Sequence, residues 1–158
     1  MDQSEKLVQL RSRDMARVLV VEDDPDSLDI VRRTLEKAGH HVFPASNGWE
    51  GLLSLDAHNV DLIILDLMMP GMNGNAFLRI IRNDQRRKAM PVVVLSALAT
   101  GELLKSTIEL GVQAWFTKSE YTSNDLIETV DRLTHTPAPA VSEGPTTKRW
   151  QDLRWLNN

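Results

Sequence analysis

Three carboxylates stand where two short apolar runs stop. Arg17-Val-Leu-Val-Val21 delivers Glu22 and Asp23, and Asp61-Leu-Ile-Ile-Leu-Asp66 ends on a third acid that opens the turn Leu67-Met-Met-Pro-Gly-Met-Asn-Gly74. If the two runs are neighbouring strands of an open parallel sheet, their carboxyl ends share the edge where such sheets bind ligands. Acids gathered there repel one another, and without a cation at least one has a raised pKa and is a poorer nucleophile. Mg²⁺ relieves this, because it takes oxygen ligands in near-octahedral geometry and keeps several waters. Glu22 or Asp23, Asp66 and one backbone carbonyl would be a sufficient protein contribution. A carboxylate nucleophile beside such an ion suits phosphoryl transfer, where catalysis is mostly positioning and cationic stabilisation of charge on the equatorial oxygens.

The elements that must position these acids are legible as an alternation of apolar runs and helical stripes. Strands are expected near 17 to 22, 41 to 44, 61 to 65, 91 to 95 and 113 to 117, and helices near 25 to 38, 48 to 58, 74 to 84, 100 to 110 and 123 to 134. The runs at 61 to 65 and 91 to 95 are almost continuously apolar, as in strands buried on both faces of a parallel sheet. Asp24 is a suitable N-cap before Pro25, and Asn47 with Glu50 three residues later has the form of a capping box. The fold class is therefore α/β, a (βα)5 doubly wound parallel five-stranded sheet. Residues 1 to 15 form a polar N-terminal extension, 16 to 134 the domain, 135 to 147 a Pro/Ala/Thr-rich linker, and 148 to 158 a short amphipathic segment in which Trp150, Leu153 and Leu156 recur.

Composition narrows the class. The chain has 158 residues, 42% of them hydrophobic, which suits one domain with short extensions. A net charge of −4 carries no footprint for nucleic acid or an anionic membrane, and the absence of cysteine excludes disulfides and thiol catalysis. Neither a signal peptide nor an apolar stretch of spanning length is present, so a cytoplasmic location is expected. His40, His41, His58 and His135 lack metal-ligand spacing, and Trp49 reads as a partly buried helix residue.

Four motifs at successive strand ends, Val-Val-Glu22-Asp23-Asp24, Leu-Asp66-Leu-Met-Met-Pro70-Gly71-Met-Asn-Gly74, Val-Val-Leu-Ser96-Ala97 and Trp115-Phe-Thr-Lys118, closely resemble the receiver domain of bacterial response regulators over about residues 16 to 134. The resemblance implies a flavodoxin-like strand order 2-1-3-4-5. It implies Asp66 as phosphoacceptor, Glu22, Asp23, Asp66 and the Met68 carbonyl as the Mg²⁺ set, and Lys118 and Ser96 as groups on the phosphoryl oxygens. Trp115 stands where receivers carry a switching aromatic. The implied partners are a sensor histidine kinase or a histidine phosphotransfer protein and a downstream target protein, with a phosphorylation-dependent dimer as one option and no nucleic acid or membrane. No output domain is expected in the residues after Leu133, so the chain reads as a stand-alone receiver that catalyses only its own phosphorylation.

Two departures bear on that reading. Ser119 follows Lys118 where receivers commonly have a cis-proline; a cis bond before Ser would cost about 2.5 to 4 kcal/mol, so a trans peptide is expected. Met68 and Leu98, two residues past Asp66 and Ser96, cannot orient an attacking water, so slow autodephosphorylation is expected. A receiver-fold docking module independent of phosphorylation is the alternative. A haloacid dehalogenase type hydrolase is disfavoured, because the first strand ends Glu22-Asp-Asp-Pro-Asp26 without that family's Asp-x-Asp-x-Thr.

Overall fold

The computed structural model describes residues 2–4, 15–97 and 101–135. The strands are β1 (Arg17–Val21), β2 (His41–Ala45), β3 (Leu62–Leu65), β4 (Val92–Ser96) and β5 (Ala114–Thr117), and the helices α1 (Pro25–Lys37), α2 (Gly48–Ala57), α3 (Gly74–Asn83), α4 (Gly101–Glu109) and α5 (Ser123–His135). Every expected element is present within a residue or two of its expected bounds. His135, expected to open the linker, is the last residue of α5; Leu98, most of the N-terminal extension, residues 136 to 147 and the 148 to 158 segment lie outside the described residues.

All pairings are parallel and the strand order is β2-β1-β3-β4-β5. Successive side chains of a strand point to opposite faces, so the apolar runs split between two core layers. Leu19, Val21, Ile63, Leu65, Val94 and Trp115 face the layer that holds Leu55 of α2, Phe77 of α3 and Leu104 of α4. Val18, Val20, Leu62, Ile64, Val93 and Phe116 face Val31 and Leu35 of α1 and Leu126 and Val130 of α5. That is why β3 and β4, buried at every position, could not show alternation in the sequence.

Local chemistry fixes where the helices start. Asp24 caps α1, its Oδ2 accepting from the Ser27 amide and hydroxyl, with Pro25 in the first turn. At α2, Asn47 Oδ1 accepts from the Glu50 amide, but Glu50 reaches back to the amide and hydroxyl of Ser46 rather than to Asn47 itself. Asn73 caps α3 by accepting from the Ala76 amide at 2.8 Å. Asn73→Ala is expected to cost about 1 kcal/mol in urea-induced unfolding, the usual penalty for a lost polar N-cap, with Asn73→Ser close to the native value.

Trp49 departs from expectation. It is 66% exposed on the outer face of α2, beside Leu53 at 69%. Its position in the helix turns it away from the layer that Leu55 and Gly51 enter, a distinction that a ten-residue stripe with little apolar asymmetry did not reveal. The histidines are structural or exposed, as expected. His40 is buried, its Nδ1 accepting from the Ala16 amide and its Nε2 lying 2.8 Å from Asp131 of α5, while exposed His41 and His58 flank the Phe43 ring.

Candidate functional site

Register puts the acids level. Val21 of β1 pairs with Leu65 of β3, so Glu22 and Asp66 are the next residues on adjacent strands, and each continues the ladder by donating its amide, Glu22 to Ala45 O and Asp66 to Val21 O. Glu22, Asp23 and Asp66 each offer a carboxylate oxygen within 4.8 Å of the others. Ser96 closes β4, is buried, and pairs in register with Thr117, which places it on the same edge; its carbonyl accepts from the Lys118 amide.

Lys118 then reaches back over the sheet edge. Its Nζ lies 2.7 Å from Glu22 Oε2 and 3.4 Å from Asp66 Oδ2, with only 3% of either acid side chain exposed. The described residues contain no cis peptide bond, so the Lys118-Ser119 step is trans and the ammonium still arrives at the acids. The second Asp66 oxygen, Oδ1, accepts from the Met68 amide at 3.1 Å, which draws the start of the β3–α3 loop against the carboxylate. The Met68 side chain is 56% exposed at the rim.

Burial pushes Glu22 up from its ordinary value to about 7, and Asp66 adds to the rise, while the Lys118 ammonium and the Asp24 amide pull it down. Burial alone would lower Lys118, but its hydrogen bond to Glu22 and the charges of both acids outweigh it and hold the ammonium above the ordinary lysine value. Lys118 is therefore a fixed cation. Three acids cluster where one ammonium contacts two of them, Glu22 and Asp66, so hard oxygen donors converge with too little positive charge to match them. That donor set fits Mg²⁺ and would not suit a soft metal.

Trp115 is 6% exposed and lies in the same core layer as Leu104 of α4, three residues before Lys118. The packed interior is where the structure places it. One site residue escaped the sequence reading. Gly74 closes the motif that begins before Asp66 and starts a helix, with no role of its own in the sequence reading, yet its amide donates to Leu67 O and a methyl group on its Cα would collide with the Asp66 carbonyl and sit 2.7 Å from Leu67 Cα. The signal available was the Gly in an Asn-Gly pair eight residues past an acid, which local chemistry alone does not separate from an ordinary turn.

Residues 18–131 match the family model of the response regulator receiver domain. The chain belongs to the response regulator receiver family. Receiver domains are signalling modules that take phosphoryl groups from histidine kinases and act on downstream targets, rather than metabolic enzymes. Protein PilH of Pseudomonas aeruginosa is 35% identical over 82 residues, which cover 52% of this chain and 68% of PilH. The gliding motility regulatory protein of Myxococcus xanthus is 30% identical over 118 residues, 75% of this chain but 15% of that protein. Among solved structures, the Vibrio cholerae chemotaxis protein CheY4 superimposes with a TM-score of 0.70 at 30% identity, covering 75% of this chain and 98% of that one. Within this receiver family the phosphorylation-independent docking reading is not favoured. Among the described residues no helix is long and apolar enough to cross a membrane.

Proposed function

We propose that this receiver takes a phosphoryl group from a phosphohistidine onto Asp66 and signals through protein contacts that depend on that modification. The observation that carries the reading is the convergence of Glu22, Asp23 and Asp66 with Lys118 at one strand edge. In the step, an Asp66 carboxylate oxygen forms a bond to phosphorus as the bond from phosphorus to the donor imidazole nitrogen breaks, the electron pair leaving with the imidazole. The Met68 amide holds one Asp66 oxygen and Lys118 faces the other, so the carboxylate is oriented before the donor arrives. Mg²⁺ held by Glu22, Asp23, Asp66 and the Met68 carbonyl would supply the remaining positive charge. Lys118 stabilises charge gathering on the transferred oxygens, and Ser96 donates its hydroxyl to the phosphoryl group once it is in place.

The modification adds about −1.5 to −2 charge and three acceptor oxygens. It favours a conformer in which Ser96 is drawn toward Asp66 and Trp115 repacks, changing the surface of α4, β5 and α5 that faces partners. The donor is a sensor histidine kinase or a histidine phosphotransfer protein, and the setting is cytoplasmic. With Met68 at the rim, hydrolysis of the acyl phosphate is slow.

Incubation with acetyl phosphate and Mg²⁺, read by intact-protein mass spectrometry, tests the proposal. A +80 Da adduct mapped to Asp66 and absent in EDTA is expected; an adduct elsewhere, or none, overturns it. Lys118→Met is expected to slow adduct formation by about 10²-fold, in line with removing one preorganised charge from a transition state. Asp23→Asn is expected to weaken the Mg²⁺-induced rise in melting temperature, a rise that scales as RT ln(1 + [Mg²⁺]/Kd), so the variant needs at least about tenfold more Mg²⁺ for the same shift.

A further inference from the structure

An exposed apolar ridge on α2 is unaccounted for by the phosphoacceptor site. Trp49 and Leu53 stand one turn apart with about two thirds of each side chain in solvent. Contiguous exposed apolar side chains, unlike scattered ones, are the kind of surface that partners cover. The charged residues of α2 are Glu50 and Asp56, both acids. Asp56 already holds Arg87, with Arg86 at 3.9 Å, but exposed Glu50, which accepts from Ser46, sits in the first turn at the strand-end edge that also carries Asp23. The ridge is thus an apolar strip on an acidic rim.

The same chain contains a sequence of opposite character. Lys148, Arg149 and Arg154 against Asp152 make the 148 to 158 segment basic, and Trp150, Leu153 and Leu156 recur three residues apart. We infer that the α2 ridge of Trp49 and Leu53 is the docking site of this chain's own Lys148 to Leu156 segment.

Charge decides between this face and the other candidate. A groove of about 400 Å³ between α1 and α5 is lined by Ile30 and Ile127, but its charged lining residues are Lys37 and Arg33, the latter paired with Asp29 at 2.8 Å, so its lining offers no acid to a basic segment. Topology permits α2, although it lies on the sheet face opposite α1 and α5. The described chain leaves α5 at His135, whose ring lies 6.1 Å from that of His40, the residue before edge strand β2. Phe43 of β2 stacks at 4.2 Å on His58, the residue that ends α2. The departure point is therefore on the flank where β2 and α2 lie. The intervening stretch from 136 to 147, rich in Pro and Ala, reaches roughly 35 Å at about 3 Å per residue, against a helix of about 15 Å.

The absence of cysteine makes the test direct. In the full chain, a nitroxide on Ala57→Cys at the exposed end of α2 is expected to cut the amide signals of residues 148 to 156 at least twofold relative to the reduced label. The same label on Glu36→Cys of α1 leaves them nearly unchanged. Adding Trp49→Ser with Leu53→Ser to the Ala57→Cys protein restores the signals, with the core resonances of β3 and β4 unmoved to show that the fold is intact. A stronger effect from the α1 label overturns the inference in favour of the groove. Equal signals with both labels, or attenuation only when labelled and isotope-enriched copies are mixed, overturns it in favour of no docking or docking between copies.

Discussion

Asp66→Asn is expected to abolish the +80 Da adduct and, in EDTA, to make the protein more stable than the native chain. The two effects have one cause. Asparagine keeps an oxygen that can accept from the Met68 amide, as Asp66 Oδ1 does, but its neutral amide cannot attack phosphorus. In the metal-free chain Asp66 also sits with Glu22 in a pocket where 3% of each side chain is exposed, and a single ammonium serves both. Lys118 lies closer to Glu22 than to Asp66, so removing the Asp66 charge leaves the better ion pair intact while ending a like-charge contact. A buried charge whose partner is shared contributes little net stability, and its removal is expected to add roughly 1 kcal/mol, a few degrees in melting temperature. Mg²⁺ should then shift the variant less than the native chain. Thermal melts with and without Mg²⁺, alongside mass spectrometry, check both halves, and a variant destabilised in EDTA would show that Asp66 is held there for structure.

The elements were legible because helical stripes and short apolar runs switch cleanly along this chain. Val31 and Leu35 of α1, or Leu126 and Val130 of α5, mark one helix face each, while β3 gives a short run between Asp61 and Asp66 and β4 one between Pro91 and Ser96. The acids were legible because a parallel sheet brings consecutive strand ends to one edge, so Glu22 and Asp66 needed no contact information to be placed together. Trp49 was not legible. Whether a side chain on a ten-residue helix enters the core depends on how the helix is rotated over the sheet, and α2 carries too many apolar residues around its circumference for the sequence to choose. The reach of Lys118 was not legible for a related reason, since the path of the five-residue loop from 118 to 122 is set by what it packs on, and only the structure shows the ammonium at both acids with a trans peptide behind it.

Gly74 presents the same difficulty in its most consequential form, and Gly74→Ala is expected to be the most damaging single-methyl change near the site. Helix α3 begins directly under the Asp66-Leu67 peptide, and the added carbon would meet backbone atoms, the Asp66 carbonyl oxygen and carbon and Leu67 Cα. Backbone cannot rotate aside as a side chain can. Either α3 backs away from the sheet or the peptide that carries Asp66 moves, and overpacking of this kind costs about 3 kcal/mol, a large part of the roughly 5 to 15 kcal/mol that holds a domain folded. Even where the variant is folded, a displacement of Asp66 by about 1 Å is expected to slow phosphorylation by about 10²-fold, because the transfer depends on alignment. Two other glycines supply the comparison. At Gly48 a methyl group meets only the Met72 side chain, from its sulfur back to its Cβ, and no backbone, and at Gly101 it meets nothing within 4 Å among the described residues. Urea unfolding and acetyl phosphate assays on the three alanine variants should therefore rank Gly74 far below Gly48, with Gly101→Ala within about 1 kcal/mol of native. If Gly74→Ala unfolds and phosphorylates like Gly101→Ala, the close approach of α3 to the acceptor peptide is not what holds Asp66 in position.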